Sequence, residues 1–213
     1  MSNEKNASES IADTELNAFA GLTLILKSQP LIFITLFVSL LFGFYSYFIH
    51  SVDKPYILSL GLFDVKWLGL FVSVVYITQA LVIFQFEMIK KRLGEFQLMT
   101  LSWVIFSIGM LGMYKFFGVL GLVSALVFYS SEPFREAIIN SFSQRHIPKK
   151  IRATTLSSIK VYQGFFAAIL GFAAGLVFDK FGIRSGMLMA FIYSISVFAF
   201  IYFYKSIFKI KLE

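Results

Sequence analysis

Residues 161–204 read VYQGFFAAILGFAAGLVF, then DKFGIR, then SGMLMAFIYSISVFAFIYFY, and this stretch decides the fold. Two runs without any Asp, Glu, Lys or Arg, 161–178 and 185–204, flank a short interval that holds Asp179, Lys180 and Arg184. A hydrocarbon core about 30 Å thick requires about 20 helical residues at 1.5 Å rise each, so either run is long enough to cross lipid. A closed β-barrel also satisfies its backbone in lipid, but its strands alternate apolar and polar residues, and these runs are continuous. The interval between them is a turn, and Gly182 permits a tight one.

Working outward, 31–49, 67–86 and 96–114 are three further uncharged stretches of the required length. A fourth, 116–136, is irregular: its uncharged part is slightly short, and reaching the far side brings in Glu132 and Arg135. The composition agrees, with 58% hydrophobic and 15% charged residues against about 45–50% and about 25% in soluble domains. The expected fold class is therefore an all-α membrane protein with six transmembrane helices over 30–206, preceded by a leader, 1–29, and followed by a short basic tail, 207–213. The leader opens MSNEKNASES, without the basic start or apolar region of a secretory signal. Leu16, Phe19, Leu22, Ile25 and Leu26 follow at helical spacing, which reads either as a surface-lying helix or as an early extension of the first span.

Orientation follows from the Lys and Arg in alternate loops. With the N-terminus in the cytoplasm, thirteen of the nineteen lie inside and five outside, namely Lys54, Lys66, Lys115, Lys180 and Arg184, with Lys160 at the edge of span five. Both termini are then cytoplasmic. The basic cluster from Arg145 to Arg152 becomes an inner-face loop beside anionic lipid, which accounts for the +7 formal charge without nucleic acid. Membrane lipids are the first expected partner.

Several chemistries lack their residues. There is no cysteine for a thiolate metal site or nucleophile, and His50 and His146 lack ligand spacing. His50, just past span one, reads as an interfacial loop residue. Neither G-x-S nor G-x-x-x-x-G-K-[ST] occurs, and the Asp residues are scattered. No enzyme, metal or cofactor is implied.

Between spans four and five runs SEPFREAIINSFSQRHIPKKIRATTLSSIK. Glu132, Pro133, Arg135 and Asn140, then Ile147, Pro148, Arg152, Ala153, Thr154, Leu156 and Ser157, resemble the E-P-x-R-x-x-x-x-N and I-P-x-x-x-R-A-T-x-L-S pattern found between the tenth and eleventh helices of bacterial members of the major facilitator superfamily. Gly175, Asp179, Lys180, Gly182 and Arg184 resemble the family's G-x-x-x-D-[RK]-x-G-x-[RK] loop signature. After span two the match is poorer, since Lys91 stands where Asp is expected before Arg92 and Gly94. These loops are similar to the family's shared machinery and carry no substrate information. Read without the family, Pro148 breaks any helix leaving span four, Arg152 and Thr154 open span five, and Asp179 and Arg184 cap helix ends or pair across the turn.

The resemblance implies a six-helix half built from two inverted three-helix repeats, similar to the C-terminal half of a bacterial transporter. The leader is then similar to the connector between halves, and a second six-helix half is the implied partner, on a separate chain or as a homodimer. A truncated remnant or scaffold without transport activity is the alternative. Spans one and four would face a central cavity, two and five the other half, and three and six lipid.

Substrate candidates on that reading are Thr35, Ser39, Tyr45, Ser46 and Tyr47 on span one, and Tyr129, Ser130, Ser131, Glu132 and Arg135 on span four. Tyr76 and Gln79 contribute from span two. An ionisable group in the membrane costs about 2.5–3.5 kcal/mol on insertion scales, so Glu132, Arg135 and Lys160 need a reason to be there. Glu132 suits proton coupling, or else pairs with Arg135 three residues on along one helical face. Lys160 reads as snorkelling from the start of span five. Ala167, Gly171 and Gly175 form a small-x-x-x-small stripe that lets another backbone approach closely.

Overall fold

The computed structural model describes Thr23 and residues 25–208, apart from Phe63. The expected surface helix lies outside the described residues except for Thr23 and residues 25–27, which are helical, and residues 209–213 of the tail are also outside them. All regular structure among the described residues is helical. Helix α1 (Gln29–Leu36) passes through a π-helical turn, Phe37–Leu41, into α2 (Phe42–Ser51), and α3 (Asp53–Ser59) follows. Then come α4 (Leu68–Lys90), α5 (Glu95–Lys115), α6 (Gly118–Tyr129), α7 (Ser131–His146) and α8 (Arg152–Ile207).

Four elements are long and apolar enough to cross a membrane: Gln29–Phe48, Val65–Lys90, Glu95–Lys115 and Lys149–Ile207. The difference from the expected six arises at two places. The fourth stretch divides at Ser130 into the 12-residue α6 and the polar α7, so neither half qualifies alone. The fifth and sixth stretches both lie in α8, which is interrupted at Gly182 by φ 79° and ψ 162°.

That conformation is close to glycine-only, because a Cβ would collide with its own backbone. A Cβ built at Gly182 meets nothing within 4 Å, so the constraint is backbone strain alone. Gly182→Ala is expected to cost about 1–3 kcal/mol. Gly164→Ala, in an equally open but helical setting, is expected to be neutral or to gain up to about 1 kcal/mol. Thermal unfolding of the two variants in detergent separates these effects; equal midpoints would contradict the turn.

The connectors gather at two ends of the bundle. At one, the Tyr56 hydroxyl donates to the Met113 carbonyl at 3.1 Å, and Arg184 Nη2 donates to the Phe116 carbonyl at 3.4 Å, uniting residues 52–64, 115–118 and 179–184. Burial pushes the Tyr56 hydroxyl up to about 12, so it stays a donor. At the other end Glu95 pairs with Arg145 at 3.2 Å, Lys205 lies over the Phe96 ring, and the Tyr204 hydroxyl donates to Gln29 at 2.8 Å.

The first helix is the centre of the bundle. Leu31, Phe33, Ile34, Phe37, Leu41, Phe42 and Phe48 are all at most 2% exposed. A π turn disrupts the regular carbonyl ladder. Donors arrive from both legs of α8: Tyr193 reaches the Leu40 carbonyl at 2.8 Å and Gln163 the Phe42 carbonyl at 3.4 Å. The small-residue stripe faces this same helix. A Cβ on Gly171 would lie 2.5 Å from the Tyr47 ring, and Ala167 N lies 3.2 Å from a Cβ built on Gly43. The stripe's neighbour is therefore α2 of the same chain.

By contrast α4 is peripheral. Only Phe71, Val75 and Phe86 are buried among its described side chains, while Tyr76, Ile77 and Phe84 are exposed by 67%, 62% and 80%. The leg of α8 before Gly182 likewise exposes Val161, Phe165, Ile169 and Phe172.

Candidate solute cavity

A cavity of about 480 Å³ opens among α2, α3, α4, α6 and α7. Its upper wall carries Asp53 and Lys54 from the start of α3. Phe71, Val72, Val75, Tyr76 and Gln79 form one side, and Tyr45, Tyr129 and Glu132 form the other. The periodicity of α4 explains its contribution. Residues 72, 75, 76 and 79 follow the i, i+3, i+4, i+7 spacing of one helical face.

Two hydrogen bonds fix the wall. The Tyr129 hydroxyl donates to Asp53 Oδ2 at 3.1 Å, and Gln79 Nε2 donates to the Tyr129 carbonyl at 3.2 Å. That carbonyl is available because the chain breaks at Ser130 between α6 and α7. Aromatic packing holds the rings: Tyr45 stacks on Phe128 at 4.8 Å, and Tyr129 meets Phe71 edge-on at 5.9 Å. The result is a cavity with aromatic and aliphatic sides, both signs of charge at one end and a carboxyl at the other. Such a site suits a small solute with apolar and charged parts.

Five of the candidates named from sequence, Tyr45, Tyr76, Gln79, Tyr129 and Glu132, line this cavity. Arg135 lies behind it, its side chain 6% exposed, and pairs with both Glu132 and Glu136. Ser131 is fully buried with its hydroxyl on the Phe128 carbonyl at 2.7 Å, a structural contact. Thr35 and Ser39 are elsewhere, on a separate cavity of about 160 Å³ shared with Tyr162 and Phe166. Their hydroxyl oxygens are buried without hydrogen-bond partners among the described residues. Tyr47 is taken up by the packing against Gly171.

The loop residues divide similarly. Arg152 Nη2 donates to the carbonyls of Gln144 and Ile147 at 3.2 and 3.1 Å, closing the C-terminal end of α7 just before Pro148. The Thr154 carbonyl accepts from Ser158 at 3.0 Å within the first turns of α8. Gly175 is half-buried near Tyr47, whereas Asp179 and Lys180 are exposed. Arg184 does not pair with Asp179 across the turn; it binds the Phe116 carbonyl and covers the Phe117 ring. The backbone of His50 is helical, in α2, and so not in a loop.

Two residues escaped the sequence reading. Asp53 sits in a connector and reaches the cavity only because α3 folds back over Tyr129. Glu95, at the start of α5, is 5% exposed and faces Arg145 and, at 3.8 Å, His146.

No protein-family model, curated protein or solved structure matches this chain.

Proposed function

We propose that this chain is a six-helix half of a secondary transporter of the major facilitator type, moving a small solute across a bacterial inner membrane. The observation that carries the reading is the polar cavity: Asp53, Lys54, Gln79 and Glu132 converge from four helices in a bundle whose surface is otherwise apolar. Groups of this kind are costly in lipid and are kept where they face a solute pathway. The alternating ends of the connectors support six crossings, with α6 and the start of α7 as the fourth and the two legs of α8 as the fifth and sixth. The excess of Lys and Arg in the 91–92 and 145–152 loops supports both termini being cytoplasmic.

Half a pathway has one wall. The exposed apolar faces of α4 and of the first leg of α8 support assembly with a complementary six-helix half, on a second chain or a second copy. A non-transporting scaffold is the second reading, favoured by the same exposed faces, since they serve assembly whether or not a solute moves.

Proton coupling through Glu132 is the working mechanism. It is tested in vesicles containing the chain with whatever copurifies, loaded with a pH-sensitive dye and offered a panel of small organic cations, anions and zwitterions. A transported solute is expected to change the internal pH, and Glu132→Gln is expected to reduce that response at least tenfold. Undiminished coupling would remove Glu132 from the mechanism.

A further inference from the structure

Arg135 stands between two cavities. Glu132, 24% exposed, faces the 480 Å³ cavity. One turn along α7, Glu136, 42% exposed, faces another of about 230 Å³ with Asn140, Ser157, Lys160 and Gln163. Arg135 Nη2 contacts both carboxylates, at 2.9 Å for Glu136. The larger cavity reaches Asp53 and Lys54 at the end where residues 52–64 turn, and the smaller reaches Ala153 and Leu156 beside the connector 147–151, at the opposite end. The spacing is that of the helix itself: positions 132, 136 and 140 recur at i+4 along one face while 135 lies beside them.

We propose that Arg135 is a shared counter-ion that links the charge states of the two cavities, so that a proton arriving at one carboxylate commits the guanidinium to the other. One cation cannot neutralise two carboxylates fully. When both are ionised each has part of the guanidinium and the repulsion of its neighbour; when one takes a proton from water in its own cavity, Arg135 holds the remaining anion alone. Glu132 Oε2 and Arg135 Nε are buried without hydrogen-bond partners among the described residues, so the cluster has unused bonding capacity. The surrounding charged and titratable groups are Tyr45 from α2, Asp53 and Lys54 from α3, Tyr129 from α6 and Lys160 from α8. The aromatic face of Phe42, 5.2 Å away, backs the guanidinium and keeps it from solvent. This inference deepens the transport reading and rests on it for its purpose, because two cavities that open to opposite ends need a link of this kind to exchange protons for solute.

The test is a carboxyl titration of the full chain in lipid vesicles, followed by the infrared band of protonated carboxyl groups. Spectra of the wild type, Glu132→Gln and Glu136→Gln are each referred to the double variant. A shared counter-ion gives two well-separated steps in the wild type. Each single variant then shows one step, and both lack the upper one by at least one pH unit, a tenfold fall in proton affinity. If the two single-variant curves add up to the wild-type curve, the carboxylates are independent and the proposal fails. Should a Gln variant not fold, Glu132→Asp and Glu136→Asp are used, and a midpoint shift at the untouched carboxyl supports the link while its absence overturns it. No solute is present, so a failure of the transport reading, seen as no solute-driven pH change in the same vesicles, is recorded separately.

Discussion

Replacing Gly109 by alanine is expected to destabilise the protein by about 3 kcal/mol, near the top of the usual range for overpacking. A Cβ built on Gly109 lies 2.6 Å from the N, Cα and Cβ atoms of Phe128. Two of those three atoms are backbone, so no change of rotamer relieves the clash and α5 must move away from α6. Nearby, a Cβ on Gly112 would collide with Ser124, so the two helices are in close contact over a full turn. The displacement would reach the cavity, because the Phe128 ring packs on Tyr45, Phe48 and Phe106 together. Gly109→Ala is therefore expected to lower the thermal midpoint in detergent and weaken solute binding together. A variant with wild-type stability would show that α5 and α6 do not approach this closely.

Arg135→Gln has the second large effect. The side chain is 6% exposed and serves two carboxylates, and removing one partner of a buried ion pair typically costs about 3–5 kcal/mol. Glu136 is partly exposed and can be solvated, so the lower end of that range, about 3 kcal/mol, is expected here. The cost arises from unpaired anions, so it is greatest where both carboxylates are ionised and shrinks as the pH falls. Stability curves of wild type and variant should converge on acidification. A loss that does not change with pH would mean that Arg135 contributes packing against Phe42 rather than charge.

Much of the fold is legible because lipid is an undemanding reader: it requires about 20 apolar residues per crossing and a polar turn between them. The turn at Gly182 and the close packing at Gly171 follow from residue type alone, since only glycine tolerates either setting. The break at Ser130 is harder to see, because neither Ser130 nor its neighbours stop a helix by propensity; what marks it is the switch from the apolar α6 to the polar α7.

The cavity was legible where helical phase stays regular and illegible where it does not. Tyr76 and Gln79, and Tyr129 and Glu132, are three residues apart on single helices and arrive together. Thr35 and Ser39 were grouped with Tyr45 on the first span, but the π turn at Phe37–Leu41 adds a residue to one turn. One extra residue rotates the following helix by about 100°, enough to send Tyr45 to a different neighbour. Asp53 had no local signal at all. Its role depends on a tertiary contact, Tyr129 reaching it across 76 positions of chain.

The central claim is that this chain forms one half of a solute pathway and needs a second half to complete it. The most direct test is the native mass of the chain extracted gently from its own membranes, with identification of whatever copurifies. A complex with one further six-helix half is expected, either a second copy or a distinct chain in one-to-one ratio, with the exposed faces of α4 and of the first leg of α8 at the contact. Recovery only as a monomer, at every concentration and in lipid as well as detergent, would contradict it.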